Sequence, residues 1–447
     1  MKVSKYIHLF TDNSRYYVVQ TVNKRIFQIE GELYRAFADK DVDTILQHKD
    51  KIKFVEANLL VDNSTNETEE LEAVCIKEDN DDEWNSLHII PSLKCNLQCA
   101  YCFVLRDTIK GIATNELDDD TLYSMIDMFV ENNPSRKKAM TFYGGEPFVN
   151  RDIVFKAVNY ANSKYKDMFQ YKIVTNGTLI TEEIADFLSR NAFDVNLSID
   201  GNKKAHDCFR LYKNGTSTYE DVIEGYKNLK KAGNSIKILV TVGEHNIDYL
   251  RDCVLDLIKL QPTSIALNLP KKLQTSDNQI DVTDFDYVCQ RYFECLELCY
   301  QNRIPEAHFA DIIYGFLSKE IHYRPCSGCG KQIALSPYGK IGPCQAYVGT
   351  GKYFVDIDKV SNKDDLRKTE EFKKWKNITM FSSLKCRDCY LLPICAGDCP
   401  YDWENREGSF DNPPDGYCMT RKKMFDYLLN RIVNKKNILF KGNNQNV

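Results

Sequence analysis

The sequence predicts an α/β protein built on a parallel sheet or barrel, preceded by a small α+β domain and followed by a cysteine-rich module. Three observations carry this. Between residues 86 and 305 short β-rich runs alternate with helical stretches, as in βα units whose strands run parallel. Residues 1–62 mix strand-like and helix-like runs without that alternation. From Pro325 to Cys418 apolar periodicity fades while cysteines recur at short spacing, the composition of a module folded around bound metal.

At 447 residues the chain has room for two or three domains. In residues 1–62, YYVVQTV and RIFQI read as strands, EGELYRAFADK as a helix and KFVEANLLV as a closing strand, giving about three strands and two or three helices. Residues 63–85 (NSTNETEELEAVCIKEDNDDEWN) are acidic and poor in apolar side chains, which predicts a linker. The α/β body spans 86–305. Its strands are LHIIP, AMTFY, YKIVT, DVNLSI, IKILVTV and SIALNL, and its helices include DDDTLYSMIDMFVEN, RDIVFKAVNYANSKY, TEEIADFLSRN, TYEDVIEGYKNLKKAG and IDYLRDCVLDLIKL. In such folds the chemistry sits at the carboxyl ends of the strands. Residues 306–420 form the cysteine-rich module, and 421–447 a basic amphipathic helix and tail whose plain reading is a helix packed on the body.

Bulk properties exclude some functions. A net charge of −5 leaves no basic footprint for nucleic acid. The N-terminus lacks the apolar run of a signal peptide, and no stretch reaches the length of a membrane span. A cytoplasmic protein with no membrane partner is expected. In that setting seventeen cysteines point to metal rather than disulfides.

The stretch KCNLQCAYCF places Cys95, Cys99 and Cys102 at C-x3-C-x2-C spacing. A structural zinc closes its shell with four ligands, whereas a site that does chemistry keeps a position open. Three thiolates on a four-iron cluster leave one iron open. With Tyr101 before the third cysteine, the motif resembles the signature of radical S-adenosylmethionine (SAM) enzymes. That resemblance implies a partial (β/α)6 barrel in which the open iron takes the amino and carboxylate groups of the cofactor. Reductive cleavage then gives methionine and a 5′-deoxyadenosyl radical.

Further motifs follow in order. TFYGGEP resembles the family's GGEP motif, which implies that Gly144, Gly145 and Glu146 bind the methionine amine; two glycines allow close backbone approach and a carboxylate suits an ammonium. Taken alone, GGEP would be a tight turn. TNGT and NLSIDG resemble strand ends that carry cofactor contacts in related enzymes, which implies that Ser198 contacts the ribose and that Thr175 and Asn176 line the site. HDCFR resembles a stretch whose arginine, here Arg210, pairs with the cofactor carboxylate as a guanidinium fork can. His206 by itself reads as a surface or capping residue. No catalytic base is assigned.

The cysteines from Cys326 onward resemble the SPASM extension of peptide-modifying radical enzymes. By its interleaved pattern, Cys326, Cys329, Cys344 and Cys399 would hold a nearer auxiliary [4Fe–4S] cluster and Cys386, Cys389, Cys395 and Cys418 a farther one. The resemblance thus implies SAM and three [4Fe–4S] clusters, with flavodoxin or ferredoxin as electron donor. The alternative is a pair of zinc ribbons in an interaction module. Cys75, Cys208, Cys253, Cys289, Cys295 and Cys299 fit no ligand pattern and are assigned no role; Cys253, Cys289, Cys295 and Cys299 lie on helical stretches and read as buried small apolar residues.

Residues 1–62 resemble, in size, position and element order, the winged-helix-like leader-recognition element of enzymes that mature ribosomally made peptides. A leader would be captured by strand addition to a sheet edge. The resulting expectation is a maturase that crosslinks a precursor peptide bound through its leader, a thioether being favoured over carbon–carbon or carbon–oxygen links. The alternative is maturation of a folded protein such as a sulfatase or a quinone-bearing dehydrogenase subunit. Sulfatase-maturing enzymes carry an aspartate base where this chain has Gln345, after Cys344, and glutamine cannot serve as that base.

Overall fold

The computed structural model describes residues 1–79, 83–106, 117–131, 137–268, 285–318, 320–360, 362–395 and 397–436. It divides into two compact units. One comprises residues 1–81, 308–326 and 378–447, the other 82–307 and 327–377. The expected cysteine-rich module, 306–420, is therefore shared between them.

In the first unit, β1 (Lys2–Val3) pairs with β5 (Leu60–Val61), and β2 (Ile7–Asp12), β3 (Arg15–Gln20) and β4 (Arg25–Ile29) form an antiparallel sheet. Asp12 faces Arg15 across a two-residue turn in which Asn13 and Ser14 have φ of 46° and 64°. This left-handed pair matches the twist of a hairpin and explains an asparagine there. Helices α1 (Gly31–Ala38), α2 (Val42–Gln47) and α3 (Lys51–Glu56) cover the sheet. Val18, Leu33, Phe37, Ile45, Phe54 and Leu59 form their common core.

Two expectations fail here for local reasons. KFVEANLLV was expected to be a strand, but its first half lies in α3. Asn58 turns left-handed at φ 58°, and the Leu59 amide donates to the Phe54 carbonyl at 2.8 Å, so only Leu60–Val61 extend into a strand. The acidic segment 63–85, expected to be a linker, contains helix α4 (Glu67–Glu78). Glu67, Glu69 and Glu70 lie in its first turn, where negative charge opposes the helix dipole favourably. Leu71 and Cys75, four residues apart, bury one face against Tyr6, Ile321, Met380, Phe381 and Leu392. Two apolar side chains at the right spacing are enough to seat a polar helix.

The C-terminal helix spans Asp415–Val433 and buries Met424, Phe425, Leu428 and Leu429. It begins before residue 421 and includes Cys418. The tail from 437 onward lies outside the described residues.

The second unit is built on a sheet whose six expected strands are all present: β6 (Ser86–Ile89), β7 (Lys138–Phe142), β8 (Phe169–Thr175), β9 (Asp194–Ser198), β10 (Ser235–Thr241) and β11 (Ser264–Asn268). They are parallel and lie in chain order, joined by helices that include Asp119–Glu131, Arg151–Tyr165, Glu182–Arg190, Tyr219–Lys231 and Leu250–Lys259. This is the arrangement of a (β/α)6 partial barrel. The free edge of β6 is taken by β12 (Gln332–Leu335), followed by antiparallel β13 (Lys340–Gly342) and β14 (Val355–Asp356). All four residues of β12 are buried. That short run, QIAL, sat within cysteine-rich sequence and gave too little periodicity to be read as a strand.

Candidate active site

The candidate residues of the second unit gather where β6 to β10 end. The loop after β6 carries Cys95, Cys99 and Cys102, all partly exposed, and is fastened on two sides. From the GGEP side, the Gly145 amide donates to Ser92 O and the Glu146 amide to Lys94 O, each at 3.0 Å. From the other, the Gln98 amide donates to Leu211 O at 2.8 Å and the Ala100 amide to Phe209 O at 3.0 Å.

The two glycines are explained by this packing. Gly144 has φ 136°, and a Cβ on it would lie 2.6 Å from Ile90 Cγ2 and 2.7 Å from Ser92 O. A Cβ on Gly145 would overlap the carbonyl of Lys94 and lie 2.7 Å from that of Leu93. Their close approach is thus to the cysteine loop, where the sequence suggested approach to a ligand.

Glu146 is buried. Its carboxylate accepts from Thr175 Oγ1 and the Asn176 amide, both at 2.7 Å, and from the Phe148 amide at 3.2 Å. Burial raises its pKa to about 7 against the pull of these bonds. Asn176 in turn donates to Asn96 Oδ1 at 2.9 Å and toward Cys95 Sγ at 3.8 Å, and the Leu97 amide donates to the same sulfur at 3.4 Å. Ser198 is half-buried at the end of β9.

Asp200, passed over in the sequence reading although NLSIDG contains it, is completely buried. Its Oδ2 accepts from the Tyr101 hydroxyl and from Arg210 Nε at 2.9 Å; Oδ1 accepts from Arg210 Nη2 at 3.2 Å and from the Thr241 amide at 2.8 Å. Burial alone would raise this carboxyl, but the Arg210 guanidinium and the His245 ring, 3.5 Å from Oδ2, hold it well below the usual range. The guanidinium stacks over the Tyr101 ring at 5.2 Å. An aspartate at a strand end beside a family motif was the signal available; its partners are up to 99 residues away in sequence, so nothing local announced the network.

His206, expected at the surface or as a cap, is buried. It accepts from the Asp200 amide at 3.4 Å through Nδ1, and its Nε2 is 3.1 Å from Thr218 Oγ1. Burial lowers its pKa to about 4, so at neutral pH it is an uncharged strut.

Can these residues hold an iron–sulfur cluster and SAM? The donor set fits. The three thiols are close enough to oppose one another's ionisation, and burial raises Cys95 to about 11 and Cys99 to about 12. They need bound metal charge to stand as thiolates. Two N–H groups already aim at the Cys95 sulfur, and Arg210 favours the ionised form of Cys99. Among the described residues no three histidine, cysteine, aspartate or glutamate side chains are grouped to hold a single metal ion.

In the first unit, Cys386, Cys389, Cys395 and Cys418 line one pocket together with Lys385, Tyr417 and Arg421. These are the four residues that the sequence pattern grouped. Cys326 and Cys399 line a second pocket with Asp311, His322 and Asp398. Cys329 and Cys344, their expected partners, are buried in the second unit. Gln345 accepts from Gln332 Nε2 at 2.9 Å. Of the six cysteines without a ligand pattern, Cys208 is exposed and the other five are buried.

The sequence profile of the Radical SAM superfamily matches residues 89–257. A second profile, the Gal4-like dimerisation domain, matches residues 17–71. The radical SAM cyclopropyl synthase TigE of Paramaledivibacter caminithermalis is 22% identical over 96% of this chain and 91% of its own. A cysteine-type anaerobic sulfatase-maturating enzyme of Clostridium perfringens is 28% identical over 79% of this chain and 98% of its own. The crystal structure of Streptococcus suis SuiB bound to S-adenosylmethionine superposes with a TM-score of 0.58 at 16% identity, covering 93% of this chain and 99% of that one. Among the described residues no helix is long and apolar enough to cross a membrane. The matched segment holds the three-cysteine loop, GGEP, Asp200 and Arg210, and the chain belongs to the radical SAM superfamily and is one of its enzymes.

Proposed function

We propose that this enzyme matures a ribosomally made precursor peptide, removing hydrogen from one of its residues and closing an intramolecular crosslink, with a thioether as the favoured bond. The observation that carries this reading is the extent of similarity. The sulfatase-maturating relative leaves about a fifth of this chain unmatched, whereas the similarity to TigE runs over 96% of it. That fifth is longer than the α+β domain of residues 1–62, which we assign to leader capture at a sheet edge.

Cys95, Cys99 and Cys102 would hold the radical cluster, and Tyr101, Gly144, Gly145, Glu146, Thr175, Asn176, Ser198 and Arg210 would surround SAM. When bound, this pair supplies a 5′-deoxyadenosyl radical that takes a hydrogen atom. Asn176 and the Leu97 amide steady the Cys95 thiolate by donating to its sulfur. Glu146 faces an ammonium with a carboxylate whose proton is lost near neutrality. Cys386, Cys389, Cys395 and Cys418 would hold one auxiliary cluster, beside the cations Lys385 and Arg421, which offset the charge of four thiolates. Cys326, Cys329, Cys344 and Cys399 would hold the other. A flavodoxin or ferredoxin would supply electrons.

The higher identity of the sulfatase-maturating relative, 28%, favours a second reading, modification of a sulfatase. Gln345 stands against it, being an amide tied to Gln332. The test is to incubate reconstituted enzyme, reductant and SAM with short peptides encoded near its gene, each with and without its leader, and with a sulfatase-derived peptide. A mass loss of two hydrogen atoms that depends on the leader supports the proposal. Formylglycine on the sulfatase peptide, with none of the precursors altered, sinks it.

A further inference from the structure

Asp200 is the point at which three separate segments meet: the cysteine loop through Tyr101, the segment after β9 through Arg210, and the end of β10 through Thr241. A carboxylate offers about four acceptor sites, and here four donors occupy them. Asp200 has no capacity left for a ligand, so whatever it does for the reaction is transmitted through its donors.

Of those donors, Arg210 retains capacity. Nε and Nη2 face Asp200, and Nη2 also reaches Thr241 Oγ1 at 3.4 Å. The Nη1 edge carries two further N–H groups, and no bond to Asp200 or Thr241 uses them. With one edge of the guanidinium clamped, its Cζ 5.2 Å from the centre of the Tyr101 ring and its side chain 9% exposed, the direction of the opposite edge is fixed. That edge belongs to the same cation whose charge is felt at Cys99.

We infer that Asp200 is a positioning residue for S-adenosylmethionine: by clamping Arg210 and Tyr101 it fixes the open edge of the guanidinium in the orientation that receives the cofactor's carboxylate. This rests on the assignment of Arg210 to that carboxylate. Two effects of Asp200 compete. Its negative charge weakens the field of Arg210, which by itself would loosen an anion, whereas its geometry prepays the ordering of a long, flexible side chain. Four well-formed bonds on a buried carboxylate argue that ordering wins.

The experiment uses full-length, anaerobically reconstituted protein and two readouts besides turnover: the dissociation constant of SAM, and the change that SAM produces in the electron paramagnetic resonance spectrum of the reduced cluster. Asp200→Asn keeps the shape and removes the clamp; we expect SAM to bind about ten-fold more weakly, with an altered spectral change and unaltered iron content. In the Arg210→Gln background, Asp200→Asn should weaken binding no further. This double variant also carries no unpaired buried charge, and it keeps the test informative should Asp200→Asn fold poorly. Tyr101→Phe, which removes one of the four bonds, should give a smaller loss.

Equal or tighter SAM binding by Asp200→Asn overturns the inference, since charge would then outweigh geometry. A double variant much weaker than Arg210→Gln alone overturns it too, because Asp200 would be acting independently. If Arg210→Gln itself binds SAM like the wild type, the assignment of Arg210 fails, a result distinct from either of these.

Discussion

Replacing Gly145 with alanine should empty the radical site of iron before it affects anything else. The added Cβ would overlap the Lys94 carbonyl and lie 2.7 Å from the Leu93 carbonyl, and both neighbours are backbone, so the loop itself must move. Overpacking of this kind costs about 1–3 kcal/mol. The two amide bonds from Gly145 and Glu146 to the loop, both 3.0 Å, are worth roughly 1 kcal/mol each if they break. A displaced loop carries Cys95 with it, and three thiolates bind a cluster only if all three converge. Iron should fall from about twelve to about eight per chain, with nucleoside formation lost and the thermal midpoint lowered by a few degrees. The assay is iron and sulfide content beside SAM binding. If Gly145→Ala kept about twelve irons and lost only affinity for SAM, the glycines would serve ligand approach, and the buttress argument would be wrong.

Three other expectations follow from the structure. Ala at both Cys386 and Cys389 should remove about four irons while reductive cleavage of SAM without peptide continues; zinc at these positions, found by elemental analysis, would refute the auxiliary cluster. Leu71→Ala should destabilise the protein by about 2–4 kcal/mol, measured by denaturant unfolding, whereas a loose linker at 63–85 would show no effect. His88 is half-buried in β6 with its Nδ1 enclosed, and loss of solvent lowers its pKa from 6.5 to about 4. Its folded form binds the proton more weakly than the unfolded chain, so its contribution is present above pH 6.5 and lost as pH falls toward 4, by about 3 kcal/mol. His88→Leu should flatten that part of the pH–stability curve of the apo-protein, and an unchanged slope would rule His88 out as its source.

The strands of the sheet were legible because β6 to β11 are apolar runs bounded by turns and separated by amphipathic helices, a local signal repeated six times. The resemblance to the SPASM extension grouped the later cysteines into two sets, and the members of one, Cys386, Cys389, Cys395 and Cys418, line a common pocket. What escaped notice was set by contacts distant in sequence. Helix α4 is polar in composition and is held by two side chains, Leu71 and Cys75, whose neighbours include Met380 and Phe381. Strand β12 owes its place to β6, nearly 250 residues earlier in the chain. KFVEANLLV failed for the opposite reason: its apolar content suits either helix or strand, and the left-handed Asn58 decided between them.

The site shows the same division between motif and contact. GGEP, TNGT and NLSIDG were read as separate stretches that each touch a cofactor, yet in the fold they are joined through two buried carboxylates. Glu146 ties GGEP to TNGT, and Asp200 ties NLSIDG to the cysteine loop and to Arg210. The two differ in charge control. Glu146 meets only neutral donors and has its pKa raised to about 7, while Asp200 faces a guanidinium and stays ionised. A carboxylate with a permanent buried counter-ion makes a rigid strut. One that lacks a counter-ion gains from a cation that arrives with the substrate, and an ammonium group is such a cation. The pairing of Asp200 with Arg210 therefore leaves Glu146 as the group in this layer with unmet negative charge, which is the electrostatic reason to assign it to the amine of S-adenosylmethionine.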